Sequence, residues 1–171
     1  MPVTRLNHAV LYVRDVERSV TFYSELLGFR QVMGMPGAAF LQAPASSNDH
    51  DLGLFQVGSQ AGPSQAGRTT VGLYHLAWEV DTLDELERIF VRLAEAGALV
   101  GASDHGTTKA IYAQDPDGIE FEVSWLVPAH LIDDVVRDER NRIRPLDLAA
   151  EKARYGGSTR GGVGVSIPAP A

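Results

Sequence analysis

A short phrase is written twice in this chain, and each copy carries a histidine. Leu6-Asn7-His8-Ala9-Val10 returns as Leu73-Tyr74-His75-Leu76-Ala77, 67 residues further on. A duplication of this kind narrows the choice of folds. A sheet covered by one helix leaves its other face bare, and two copies can bury those faces together or curl them round a cleft. Equivalent residues of the two copies then converge on the cleft.

The elements follow the same order in both copies. In the first, residues 5–13 alternate as a strand, with Leu6, His8, Val10 and Tyr12 on one face. Asp15 is placed to cap a helix carrying Val16, Val20, Tyr23 and Leu27 at helical spacing, and Gly28 stops it. Strands near 29–34, 38–43 and 50–57 follow, then a Gly-, Ser- and Gln-rich linker over 58–70. In the second copy a strand over 72–80 leads to Thr82-Leu83-Asp84-Glu85, which has capping-box spacing. Leu83, Leu86, Phe90 and Leu93 give the helix its buried stripe, and Gly97 ends it. Strands near 98–103, 108–114 and 119–125 complete the copy, with Asp115-Pro116-Asp117-Gly118 as the last turn.

The expected fold is α+β, two tandem βαβββ modules forming a curled open-barrel cleft with the helices outside. One domain spans 1–126, with module 1 over about 5–57, the linker 58–70 and module 2 over about 71–126. Residues 127–171 form a helical and extended tail interrupted at Pro145. In it Leu131, Ile132, Val135 and Val136 share one side of a short helix, to pack on a partner or to lid the cleft.

Composition removes several classes of function. The net charge of −7 argues against a nucleic-acid or anionic-membrane surface, and no apolar run approaches the length of a membrane span. The absence of cysteine excludes disulfides and thiolate metal sites, so a metal must be held by imidazole and carboxylate. Without an export signal at the N-terminus, the cytoplasm is the expected compartment. The expected partner is a small molecule, with no nucleic acid and no membrane.

His8 and His75 hold matching positions of the repeat, which favours a shared task over two unrelated core histidines. On the last strand Glu120, Glu122 and Ser124 share a face, while Phe121, Val123 and Trp125 lie opposite, under a helix. A carboxylate among such neighbours is costly to bury unless it is paired or bound to a metal. Two imidazoles and one carboxylate leave open coordination positions, a set suited to non-haem Fe(II). Spacing alone leaves Glu120 and Glu122 both open as the carboxylate.

From about residue 5 to 126 the sequence resembles the vicinal oxygen chelate superfamily. That superfamily includes type I extradiol dioxygenases, glyoxalase I, methylmalonyl-CoA epimerase and the fosfomycin and bleomycin resistance proteins. The similarity to short extradiol enzymes rests on Tyr112, the Asp115-Pro116-Asp117-Gly118 turn, and a Glu four residues after its Gly. It selects Glu122, so the implied metal set is His8, His75 and Glu122, holding Fe(II) or Mn(II). It also implies His50, in His50-Asp51-Leu52, as the acid–base histidine. Tyr112 becomes a pocket hydroxyl, and His105 an assisting histidine. The implied activity is cleavage of a catechol-like vicinal diol with O2, in a homo-oligomer.

Other branches of the superfamily compete. Aligning Phe55-Gln56-Val57 with Phe121-Glu122-Val123 puts Gln56 where the first module could offer a fourth ligand. A glyoxalase-like carboxylate is absent there, but the set resembles that of methylmalonyl-CoA epimerase. Residues 28–49 hold no Glu, and Asp49 is their only acid, so the epimerase's second catalytic carboxylate has no candidate. A drug-binding resistance protein is the third alternative.

Overall fold

The computed structural model describes residues 2–3, 5–67, 69–140 and 142–162. The chain divides into two compact units, residues 1–65 with 115–118, and residues 66–114 with 119 onward. Among the described residues no helix is long and apolar enough to cross a membrane.

The first unit contains β1 (Ala9–Val13), α1 (Val16–Leu27), β2 (Arg30–Met35), β3 (Ala38–Gln42) and β4 (Leu52–Gln56). Its sheet has the order β1-β4-β3-β2, with β1 and β4 parallel and the other pairs antiparallel. Asp15 caps α1 as expected, accepting the Arg18 N–H, and Gly28 ends it at φ 79°. Leu11 and Val13 are buried, while Val10 and Tyr12 stand exposed on the opposite face. The expected alternation of β1 therefore holds, although regular pairing begins only at Ala9.

The second unit repeats the plan with β5 (Leu76–Glu79), α2 (Leu83–Glu95), β6 (Leu99–Asp104), β7 (Thr108–Gln114) and β8 (Glu120–Leu126). Its order is β5-β8-β7-β6, again with the parallel pair first. Even the irregularities recur, with a register shift between Gln31 and Met33 on β2 and between Leu99 and Gly101 on β6. Thr82 caps α2 through the Glu85 N–H. The buried stripe of α2 is Leu83, Leu86, Ile89 and Leu93, so Ile89 replaces the anticipated Phe90. Phe121, Val123 and Trp125 are at most 1% exposed, which puts the apolar side of β8 where the alternation placed it.

The tail corrects one expectation. Leu131–Val136 is not one helix, because a 3-10 turn over Ala129–Leu131 precedes α3 (Asp134–Glu139). Ile132 and Val136 are buried while Val135 is 58% exposed. Pro145 does not merely split helices: it belongs to β9 (Arg144–Pro145), which pairs with β6 as the fifth strand of the second sheet. Proline is tolerated there because β9 is an edge strand and its missing N–H costs no ladder bond.

After β9 comes α4 (Leu148–Tyr155), which lies beside α2, where Lys152 bridges Asp84 and Glu87. The Trp125 indole N–H donates to the Asp81 and Thr159 carbonyls, and its ring lies 5.6 Å from Tyr155. The tail thus packs on the helical face of its own second sheet. The expected extended stretch beyond Gly162 lies outside the described residues.

Candidate functional site

In the first unit, β1 and β4 run parallel with Ala9 opposite Leu52. This register carries the residues before each strand alongside one another, and the Ala9 N–H bonds the Asp51 carbonyl at 3.0 Å. His8 and His50 consequently meet, with ring centroids 4.6 Å apart. The His8 Nδ1 lies 2.7 Å from the Asn7 side-chain oxygen. A carbonyl oxygen only accepts, so Nδ1 carries the proton and Nε2 keeps its lone pair. His50 is held in the same manner, its Nδ1 3.2 Å from Asp49 Oδ2. The His50 backbone N–H, and then its ring, keep the Asp49 carboxyl below its usual range. Asp49 is thus an orienting partner, and its place next to a candidate acid–base histidine is the one signal of it in the sequence.

The same unit contains the turn Asp115–Gly118. Arg14 grips Asp117 through its guanidinium at 2.7 Å and its backbone N–H at 3.0 Å, and the Tyr23 hydroxyl donates to Asp115. Burial first, and then the Asp115 charge, push the Tyr23 phenol well above its ordinary range. Asp115 Oδ1 accepts the Asp117 N–H, and Gly118 takes φ 81°, which closes the turn.

In the second unit, Tyr112 stands directly opposite Glu122 in the β7/β8 ladder, and Ala77 flanks Glu122 from β5. His75, two residues before Ala77, reaches Glu122 with its Nε2 3.4 Å from Oε2. The Tyr112 ring lies 5.8 Å from the His75 ring, and its hydroxyl is 3.0 Å from His105 Nε2. Four of the six sequence-derived residues therefore line up in this unit, and His8 and His50 meet in the other.

Burial, then the negative charge of Glu122 and a hydrogen bond to it, push the Tyr112 phenol up to about 12. It stays a proton donor at every ordinary pH. Its folded pKa exceeds the ordinary 10.0, so its contribution to stability is complete below pH 10 and fades as the pH climbs towards 12. Phenolate difference titration of the metal-free protein should place the Tyr112 component near pH 12, and Tyr112→Phe should remove it. A component near pH 10 that disappears in that variant would contradict this environment.

Register also identifies the first module's counterpart of Glu122. His8 and His75 are equivalent, so Val10 and Ala77 are too; the first pairs with Gly53, the second with Glu122. The repeat mate of Glu122 is therefore Gly53, and that of Tyr112 is Phe40, since each lies across the next ladder. A side chain at Gly53 would meet Val10 Cγ2 at 3.3 Å and Phe40 at 3.6 Å. Gln56 lies further along β4, and its side-chain oxygen accepts the Val16 N–H at the start of α1. The sequence alignment that matched Gln56 to Glu122 was shifted by three residues, and the duplication contributes two imidazoles but one carboxylate.

The donors present suit a divalent metal. Two ligand atoms about 2.1 Å from one ion at roughly right-angled to tetrahedral positions lie about 3.0–3.4 Å apart. The His75 to Glu122 separation of 3.4 Å falls at the edge of that range. The His75 Nδ1, on the far side of the ring from Nε2, is buried and has no hydrogen-bond partner among the described residues, a position that a water would satisfy. No group of three His, Asp or Glu side chains able to hold a metal is assembled among the described residues.

The model of the glyoxalase/bleomycin resistance protein/dioxygenase superfamily matches residues 5–123, and the chain belongs to that superfamily. Among its relatives, a catechol-2,3-dioxygenase of Bacillus subtilis (strain 168) is 32% identical over 120 residues, 70% of this chain and 41% of that protein. A biphenyl-2,3-diol 1,2-dioxygenase 3 of Rhodococcus globerulus is 34% identical over 130 residues, 72% of this chain and 64% of that protein. The chain thus spans only part of the length of these enzymes. Transferases named FosA and FosB are also among its relatives. A solved glyoxylase/bleomycin resistance protein/dioxygenase domain from Frankia sp. EAN1pec shares the fold, with TM-score 0.58 and 24% identity over 72% of this chain and 92% of that one.

Proposed function

We propose that this chain is an extradiol-type dioxygenase opening a catechol-like vicinal diol with O2, using Fe(II), or Mn(II) in its place, on His8, His75 and Glu122. The observation that carries this reading is the His105–Tyr112 pair at 3.0 Å, set beside His75 and Glu122. An isomerase that only moves a proton next to a carbonyl has no need of a phenol and a further imidazole there.

When bound, the metal supplies Lewis acidity that eases loss of a phenolic proton from the diol. The remaining work falls to side chains. His50 receives that proton on Nε2, because Asp49 holds its Nδ1 in the protonated form. It later returns the proton to the opening ring. The Tyr112 hydroxyl donates a hydrogen bond to a substrate oxygen, and His105 orients that hydroxyl. On the first sheet Val10, Tyr12, Met33 and Met35 are exposed apolar groups. The ladders align Val10 with Phe40 and Met33, and Tyr12 with Met35, a surface suited to an aromatic ring. That the repeat mate of Glu122 is Gly53, and that the Gln56 side chain is bonded to the Val16 N–H, counts against the epimerase-type ligand set.

Protein loaded anaerobically with Fe(II) and mixed with a panel of catechols should consume O2 and form yellow semialdehyde products. Absence of uptake with the whole panel would overturn ring cleavage. Proton exchange in D2O with an acyl-CoA or hemithioacetal would then mark an isomerase or lyase, and thiol addition to an epoxide a transferase.

A further inference from the structure

The side chain of Lys109 alternates to the face of β7 opposite Tyr112, and there its ammonium is wholly buried. Such a burial needs paired charge. Lys109 Nζ is 2.5 Å from Asp104 Oδ1, at the end of β6, and 2.9 Å from Glu151 Oε2, on α4. It also sits 5.7 Å from the centre of the Tyr155 ring. Asp104 is thereby tied to a helix that lies outside the residues matched to the superfamily.

Asp104 is also the residue before His105. The same Oδ1 that meets Lys109 accepts the Gly106 N–H at 2.8 Å, closing the turn on which His105 is carried. α3 seals that turn from outside. Gly106 has φ +73°, and a Cβ there would come within 2.9–3.0 Å of Arg140 N, the Glu139 carbonyl carbon and Val136 O. The Thr107 carbonyl accepts the Val127 N–H. Chain beyond β8 therefore meets the His105 turn directly at Gly106 and Thr107, and reaches the Asp104 carboxylate through Lys109, while the His105 ring meets the Tyr112 hydroxyl on the other side.

We propose that the C-terminal extension positions His105: Glu151, acting through Lys109 and Asp104, fixes the turn so that the imidazole keeps its bond to Tyr112. Glu151 and Lys109 are positioning residues, since neither reaches the site face. The catalytic consequence rests on the ring-cleavage reading, whereas the geometric one does not.

The test compares wild type with Glu151→Gln in the full chain, using nitrogen-15 histidine labelling and diamagnetic zinc in the metal site. The expected result is one fixed tautomer for the wild-type His105 ring. In the variant the His105 signals alone should become averaged, with those of His8, His50 and His75 unmoved. With Fe(II) and a catechol, kcat should fall about tenfold at unchanged KM, as a small misplacement of an assisting group does. The loss should vanish in a His105→Ala background. If Glu151→Gln does not fold, Lys109→Met with Glu151→Met removes two of the three charges at similar volume, leaves Asp104 held by the Gly106 N–H alone, and should give the same His105 change. Unchanged His105 signals in either folded variant overturn the proposal. So does a Glu151→Gln loss that adds fully to that of His105→Ala. A wild-type protein without oxygen uptake defeats the ring-cleavage reading and leaves the NMR comparison to decide this one.

Discussion

Changing His75 to alanine should abolish stoichiometric metal binding. His75 Nε2 lies 3.4 Å from Glu122 Oε2, and these two supply the second unit's share of the proposed ligand set. Without the imidazole, two donors from separate units remain. Losing a partner that merely orients a ligand costs roughly 10–100-fold in affinity, so losing a ligand should cost more. His8→Ala should do the same from the other unit. Glu120→Gln is the control, because Glu120 pairs opposite Gln114, away from the Ala77–Glu122–Tyr112 row. Metal analysis after dialysis reads all three. Undiminished content in both histidine variants would sink the assignment.

The second large effect belongs to His50. His50→Phe should retain metal and lose about 10²–10⁴ in kcat, the usual worth of a positioned acid–base group. Phenylalanine keeps the packing against Phe40, whose ring lies 5.1 Å away, and discards only the proton chemistry. Asp49→Asn should fall between that variant and wild type, since it frees the His50 tautomer without removing the ring. Tyr112→Phe should lose about tenfold, the equivalent of one hydrogen bond. Stopped-flow comparison at saturating catechol separates these losses. If His50→Phe turns over like wild type, the proton is carried elsewhere.

Local pattern made much of this molecule legible. Asp15, Thr82, Gly28 and Gly97 announced helix ends because capping acts within three or four residues. Alternation put Phe121, Val123 and Trp125 on the buried side of β8 because successive strand residues point to opposite faces. Ile89 displaced Phe90 from the α2 stripe because two neighbouring apolar residues satisfy helical spacing almost equally, and the packing surface chooses between them.

By itself, then, the sequence determined the duplication, the element order, the two equivalent histidines and the face that carries Glu122. These depend on repetition and on periods of two and 3.6 residues, which are local properties of a chain. Only the tertiary structure decided that Gly53 is the mate of Glu122, because register is a relation between strands and a three-residue slip leaves the alternation of Phe55, Gln56 and Val57 plausible on paper. It also decided the His8–His50 contact, 42 residues apart in sequence, which follows from the parallel pairing of β1 with β4. The buried Lys109, Asp104 and Glu151 group was likewise beyond reach. A lysine in a strand reads as exposed, and the carboxylate that helps neutralise it arrives on a helix after a proline-bearing edge strand. Long-range pairing of charge leaves no periodic trace in the chain that makes it.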